Sequence, residues 1–149
     1  MTISPAYAEQ NRTLHASDPL YGATGWQWAA YVDHLVEQEE HQSVLDYGSG
    51  KSRLLRGLME IWEGGGVAPA SMAEYDPGVP GKDAEPEPAD LVVCTDVLEH
   101  IEPDCLDAVL NHIAKVTRKV LFVAISTRPA KRWLSDGRNA HLIVEDGAT

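Results

Sequence analysis

Short apolar runs and helix-spaced apolar positions alternate along this chain. Between residues 26 and 40, Trp28, Tyr31, Val32, Leu35 and Val36 share one helical face. Residues 43–47 follow as a run suited to a buried parallel strand. Ser52 opens a second helix, in which Leu54, Leu55, Leu58, Met59 and Trp62 recur at helical spacing until Gly64, Gly65 and Gly66 end it. Residues 70–75 read as a strand, and the four prolines and two glycines of residues 77–88 read as a loop. Residues 90–95 form a third strand. Residues 104–117 form a helix with Leu106, Val109, Leu110 and Ile113 inward, and "KVLFVAIS" (119–126) has the most pronounced strand pattern. Residues 129–136 fit a short helix and "HLIVE" (141–145) a last strand. Residues 1–25 are polar and interrupted by Pro5, Pro19, Gly22 and Gly25, which predicts an irregular segment.

Strands alternating with helices predict an α/β fold: one domain over residues 1–149, with a mostly parallel sheet covered on both faces. Ligands of such sheets bind beyond the carboxyl ends of the strands, near the switch in strand order. Functional residues are therefore expected at 46–52, 74–76, 95–100 and 126–128.

The stretch "DYGSGKS" (46–52) occupies the first of these positions. Its Gly50-Lys51-Ser52 ending imitates a phosphate loop, but G-x-x-x-x-G-K-[ST] requires glycine where this chain has Leu45. Gly48 and Gly50 instead suit a sharp turn that a ligand can approach closely, and Lys51 is expected at the surface. Asp76, at the end of the second strand, is placed to accept hydrogen bonds from both hydroxyls of a ribose. On its own it would be a solvent-facing turn residue before Pro77.

Charge narrows the partners. The net charge of −11 disfavours extended contact with a nucleic-acid backbone. Eleven acids oppose Lys82 alone between Glu74 and Asp107, whereas six basic residues oppose Asp136 alone between Arg118 and Arg138. That basic stretch suits either an anionic group on a substrate or a solvated face. Cys94 and Cys105 have no paired metal spacing, so no metal site is expected, and no apolar run is long enough to span a bilayer. The N-terminus lacks the regions of a signal peptide, so a cytoplasmic location is expected.

The third strand runs into "DVLEHI". At this point the chain resembles the class I S-adenosylmethionine-dependent methyltransferases: "VLDYGSG" is similar to their first motif, "EYDP" to the acidic second, and "ADLVVCTDVLEHI" to their fourth-strand segment. The resemblance covers about residues 26–127. It implies a three-layer Rossmann-like fold, S-adenosylmethionine as cofactor, and methyl transfer to an acceptor expected to be a small molecule. Under it, Asp46, Gly48 and Gly50 would line the methionine part of the cofactor and Asp76 would hold the ribose. Asp83 would contact the adenine amine, and Asp96 would border cofactor and substrate. Tyr7, Tyr21 and the segment 22–25 would close over the cofactor.

His100 is the candidate base, with a pKa expected near working pH, or else a packing or capping residue. Arg138, Asn139 and His141 either orient an anionic group on the acceptor or form a polar surface turn.

Two departures from the family stand out. Ser52 replaces the third glycine of the first loop, where a serine can cap the helix that follows. The chain is also short at the C-terminus, where the family adds further strands. The expectation is a partner over that sheet edge, a minimal fold or a longer parent chain, and an uncovered edge favours self-association into a homo-oligomer. The alternatives are a noncatalytic protein of the same fold, and an enzyme that cleaves the cofactor. A nicotinamide dehydrogenase is disfavoured, because "DVLEHI" has no counterpart in its fingerprint.

Overall fold

A computed structural model describes residues 1–146. Four strands, β1 (Ser43–Tyr47), β2 (Ser71–Tyr75), β3 (Ala89–Thr95) and β4 (Thr117–Ala124), form one parallel sheet in the order β2-β1-β3-β4. Four helices surround it: α1 (Pro5–Ser17), α2 (Ala29–Gln38), α3 (Arg53–Glu63) and α4 (Leu106–Val116). The expected α/β sheet with helices on both faces is present.

The alternation of side chains along each strand divides the core in two. Val44, Leu91 and Val93 point to the face covered by α2 and α3, where Val32, Leu54 and Leu58 meet them. Leu45, Val92 and Cys94 point to the opposite face, where Val109, Ile113 and Val116 of α4 cover them. Each such aliphatic side chain, fully withdrawn from water, stabilises the fold by roughly 1.5–3 kcal/mol. Both faces of β3 are buried along its whole length, which explains the apolar run from Leu91 to Cys94 at its centre.

Several expectations require correction. Residues 1–25 are not irregular throughout. Ser4 caps α1 by accepting the Tyr7 N–H at 3.2 Å, and Pro5 begins the helix where its missing N–H is not needed. The 26–40 helix is divided into a 3₁₀ turn (Gly25–Trp28) and α2, and Tyr31 lies outside the core, stacked on Phe122. Leu110 is exposed, while Cys105 and Val116 occupy the inner face. No helix forms at 129–136 and no strand at 141–145. That segment is a folded-back loop with a single antiparallel bridge, Trp133 to Asn139, and its apolar residues Leu134 and Ala140 pack on Tyr7. The apolar run there serves this small third cluster, not the sheet. Among the described residues β4 is an edge strand, with Leu121 and Val123 exposed along it and Ile125 just beyond it.

Asp46, the next-to-last residue of β1, lies inside the protein, 4% exposed. Burial raises its pKa to about 8, assisted by the nearby Glu74 carboxylate and opposed by the Lys82 ammonium. An unfolded aspartate titrates near ~3.9, so ionising Asp46 penalises the folded state increasingly from about pH 4 to pH 8. Asp46→Asn should therefore match the wild type in urea denaturation near pH 4. It should become the more stable protein as pH rises to 8, by a margin on the order of a few kcal/mol. A margin that does not change with pH would contradict the buried acid.

Candidate active site

The strand order reverses across β1: the chain steps from β1 to β2 on one side, then crosses to β3 on the other. Loops leaving the carboxyl ends of adjacent strands diverge there and leave a crevice. A cavity of about 440 Å³ occupies it, within the range of small-molecule sites. Its walls include Gly48 and Gly50 after β1, Asp76 after β2, Asp96 and Val97 after β3, and Ser126 after β4. All four expected positions thus converge.

The glycine loop is held closely. Gly48 has φ +83°, and a Cβ there would lie 2.3 Å from a Val97 methyl carbon. Gly50 has φ +49°, and its Cβ would meet the Gly22 carbonyl oxygen at 2.8 Å. Its N–H donates to Asp76 Oδ2 at 2.9 Å, while Gly78 N–H donates to Asp76 Oδ1 at 2.9 Å. The carboxylate is thereby fixed at the cavity wall with a further lone pair on each oxygen.

Ser52 does not cap α3 as expected. It adopts the left-handed backbone, φ +57°, that a glycine would take without strain. Its hydroxyl donates to Glu74 Oε2 at 3.0 Å and accepts from Lys82 Nζ at 2.7 Å.

Two lysines pin this loop from opposite sides. Lys82 Nζ also donates to the Gly50 carbonyl at 2.9 Å and to Glu74 Oε1 at 3.1 Å, tying down the β2–β3 connection. Lys51 is not the surface residue expected. Its Nζ donates to the carbonyls of His15, Asp18 and Tyr21 at 2.9, 2.8 and 3.0 Å. The N-terminal segment is thereby drawn over the cavity, where Tyr7, Tyr21 and Gly22 form part of its wall. Ser4 adds a second tie through N–H and hydroxyl bonds to the Glu102 carboxylate.

Asp96 sits directly after β3 with φ +54°, its Oδ2 accepting the Thr24 hydroxyl at 2.8 Å. Such backbone is sparsely populated for a residue with a Cβ and clusters at functional sites. His100 also lines the cavity. Its Nδ1 lies 2.7 Å from the Ala140 carbonyl, which can only accept, so Nδ1 carries the proton and Nε2 the lone pair. The expected near-neutral pKa is not found: burial lowers it to about 4, so the ring is neutral throughout physiological pH. His141, brought beside it, makes an edge contact with centroids 4.7 Å apart.

The other candidates lie elsewhere. Asp46 is not on the cavity wall. Asp83 is exposed, accepts the Gly81 N–H at 3.3 Å and does not line the cavity. Arg138 pairs with Asp136 at 2.7 Å. Asn139 is a clip within its own loop, bonded to both N–H and C=O of Ala130. Of the basic stretch, Lys131 and Arg132 reach the cavity, and Arg132 is paired with Asp18. Glu99 was not singled out by sequence, yet it is 1% exposed and lines the cavity. An acid next to a histidine immediately after a buried strand was the available signal.

A family model described as a methyltransferase domain matches residues 24–148. No curated protein matches the chain at a significant level. The match begins at Thr24, so α1 and the carbonyls gathered by Lys51 precede it.

Lys51→Met keeps the aliphatic stem and removes the ammonium from three carbonyls. Amide exchange should then accelerate across α1 and residues 18–25, by about tenfold or more given ~1.5–3 kcal/mol per charge-assisted bond. The amides of β1 and β3 should keep their protection. Equal acceleration everywhere would mean that the lysine supports the whole fold instead of this closure.

Proposed function

The chain belongs to the methyltransferase-domain family, and on that premise we propose that it binds S-adenosylmethionine in the switch-point cavity and transfers the methyl group to a small-molecule acceptor. The observation that carries this reading is Asp76. Its carboxylate is fixed by Gly50 and Gly78 N–H groups at the cavity wall, with lone pairs left for the two hydroxyls of a ribose. Gly48 and Gly50 would face the methionine portion across bare backbone. The acids on the wall (Asp76, Asp96 and Glu99) suit a cationic ligand.

When bound, S-adenosylmethionine supplies an electrophilic methyl group on a positively charged sulfur. The protein's own contribution is then largely placement and exclusion of water. Tyr7, Tyr21 and Gly22 would shield the cavity from the N-terminal side. His100, neutral and with its tautomer fixed by the Ala140 carbonyl, would offer the Nε2 lone pair to a donor group on the acceptor. With a pKa of about 4 it orients such a group more readily than it removes a proton. Asp96 would stand between the cofactor and acceptor regions. Asp83 has no place in this scheme. The cavity volume and the acidic surroundings favour a small acceptor over a nucleic acid.

Calorimetry with S-adenosylmethionine and with its demethylated product tests the reading. Both should bind the wild type, and Asp76→Ala should weaken both by at least tenfold, about 1.4 kcal/mol. Absence of heat with either ligand would overturn the cofactor assignment. Unchanged affinity in a folded Asp76→Ala protein would overturn the ribose role. Incubation with the cofactor alone should leave it intact, whereas consumption without an acceptor would indicate cleavage instead of transfer.

A further inference from the structure

On one wall of the cavity three lone-pair acceptors converge. Glu99 Oε1 accepts the Ser126 N–H at 2.9 Å, but Oε2 is buried with no hydrogen-bond partner. His100 and His141 each donate Nδ1–H to a backbone carbonyl, of Ala140 and Arg128 respectively, so each presents Nε2 as its lone-pair atom. One ligand-type atom from each of the three residues lies within 4.8 Å of the other two. A single proton among them would join only two of the three and leave the third facing a lone pair. A doubly charged cation would satisfy all three.

We propose that Glu99, His100 and His141 bind a divalent first-row transition-metal ion, whose remaining coordination positions open into the cavity. The donor set carries the assignment: two imidazoles and one carboxylate suit manganese, iron, cobalt or zinc better than magnesium or calcium, which favour all-oxygen sites. Both imidazoles already have the outer hydrogen bond typical of metal-ligating histidines, a carbonyl on the far nitrogen. Donor atoms about 2.1 Å from a metal lie at most ~4.2 Å apart. In a tetrahedral set such donors lie roughly 3.4 Å apart, so a pair at the 4.8 Å limit closes by about 1.4 Å, a shift made by side-chain rotation.

The frame that holds the three residues is rigid where it matters. Glu99 and His100 share the turn after β3, and His141 arrives 41 positions later in sequence. Asn139 Oδ1 accepts the His141 N–H at 2.9 Å while its amide holds Ala130, and the Ile143 N–H donates to the Glu99 carbonyl at 3.0 Å. Asn139 thus acts as a positioning residue for His141. With the cation bound, the His100 Nε2 lone pair is taken, and open positions on the cation would hold an oxygen donor of the acceptor in its place.

Cobalt(II) titration of the untagged, chelator-treated protein at pH 7 tests the site without cofactor or acceptor. One equivalent per chain should bind saturably and produce visible ligand-field absorption. Glu99→Gln, which preserves the Ser126 bond, and His141→Ala should each weaken binding more than tenfold with the circular dichroism spectrum unchanged. His34→Ala, at an exposed histidine on α2, should leave it as in the wild type. No saturable uptake by folded wild-type protein, or uptake insensitive to both variants, would overturn the proposal. Because no S-adenosylmethionine is present, failure here leaves the cofactor reading untouched, and failure of the cofactor calorimetry leaves the metal site untouched.

Discussion

The reversal of strand order across β1 is the constraint on which the rest of this structure depends. With β2 on one side and β3 on the other, the loops that leave their carboxyl ends diverge and leave a gap. The chain fills the borders of that gap with backbone. Gly48 touches Val97, Gly50 touches Gly22, and Asp76 receives two N–H groups. An extra methyl group would collide with Val97 at Gly48 and with the Gly22 carbonyl at Gly50. The loop conformation, the cavity and the position of the carboxylate are therefore one arrangement.

That arrangement concentrates features that oppose stability. Asp46 and Glu99 are carboxyl groups whose pKa burial raises, His100 is an imidazole whose pKa burial lowers, and Ser52 and Asp96 carry left-handed backbone despite their Cβ atoms. The left-handed backbone at Ser52 and Asp96 costs on the order of a kcal/mol each, and burial disfavours the charged form of the three titrating groups. They lie at the carboxyl edge of the sheet, whereas the aliphatic residues of β1 and β3 form the two apolar clusters on its faces. A strained, polar edge on a rigid apolar support is the division expected of a binding site.

Sequence made the support legible and left much of the edge unreadable. Strands β1 and β3 are short, apolar and bounded by turn residues, so their pattern has few competing interpretations. Helix α1 was missed because it buries little beyond Tyr7 and Ala8, and its polar length resembles a linker. Yet the pair Ser4-Pro5 is a helix-start signal, a capping serine followed by a proline in the first turn. The run "HLIVE" looked like a strand because periodicity cannot distinguish a sheet from the satellite cluster around Tyr7 and Leu134. Asp46, Gly48, Gly50, Asp76 and Asp96 could be named from motifs, but only contacts show that Asp46 is withdrawn from the wall and Asp83 is outside it. The pairing of His100 with His141 depends on a loop returning across 41 positions, and no local pattern encodes that.

Lys51 shows why the same residues can imitate one site and form another. In a phosphate loop the lysine must point at the ligand, with its positive charge unneutralised by the protein. Here the ammonium is turned toward three carbonyls of the N-terminal segment, and Ser52 is turned toward Glu74 and Lys82. What remains facing the cavity near the loop is bare glycine backbone and the Asp76 carboxylate. With Asp96 and Glu99 across the gap, a phosphate would meet acids on two sides, at an electrostatic penalty that Lys131 and Arg132 on another part of the wall offset only in part. A ligand bearing positive charge and vicinal hydroxyls meets no such opposition. The loop's apparent nucleotide motif thus selects against the ligand it resembles, because the folded chain has already used its cation for closure.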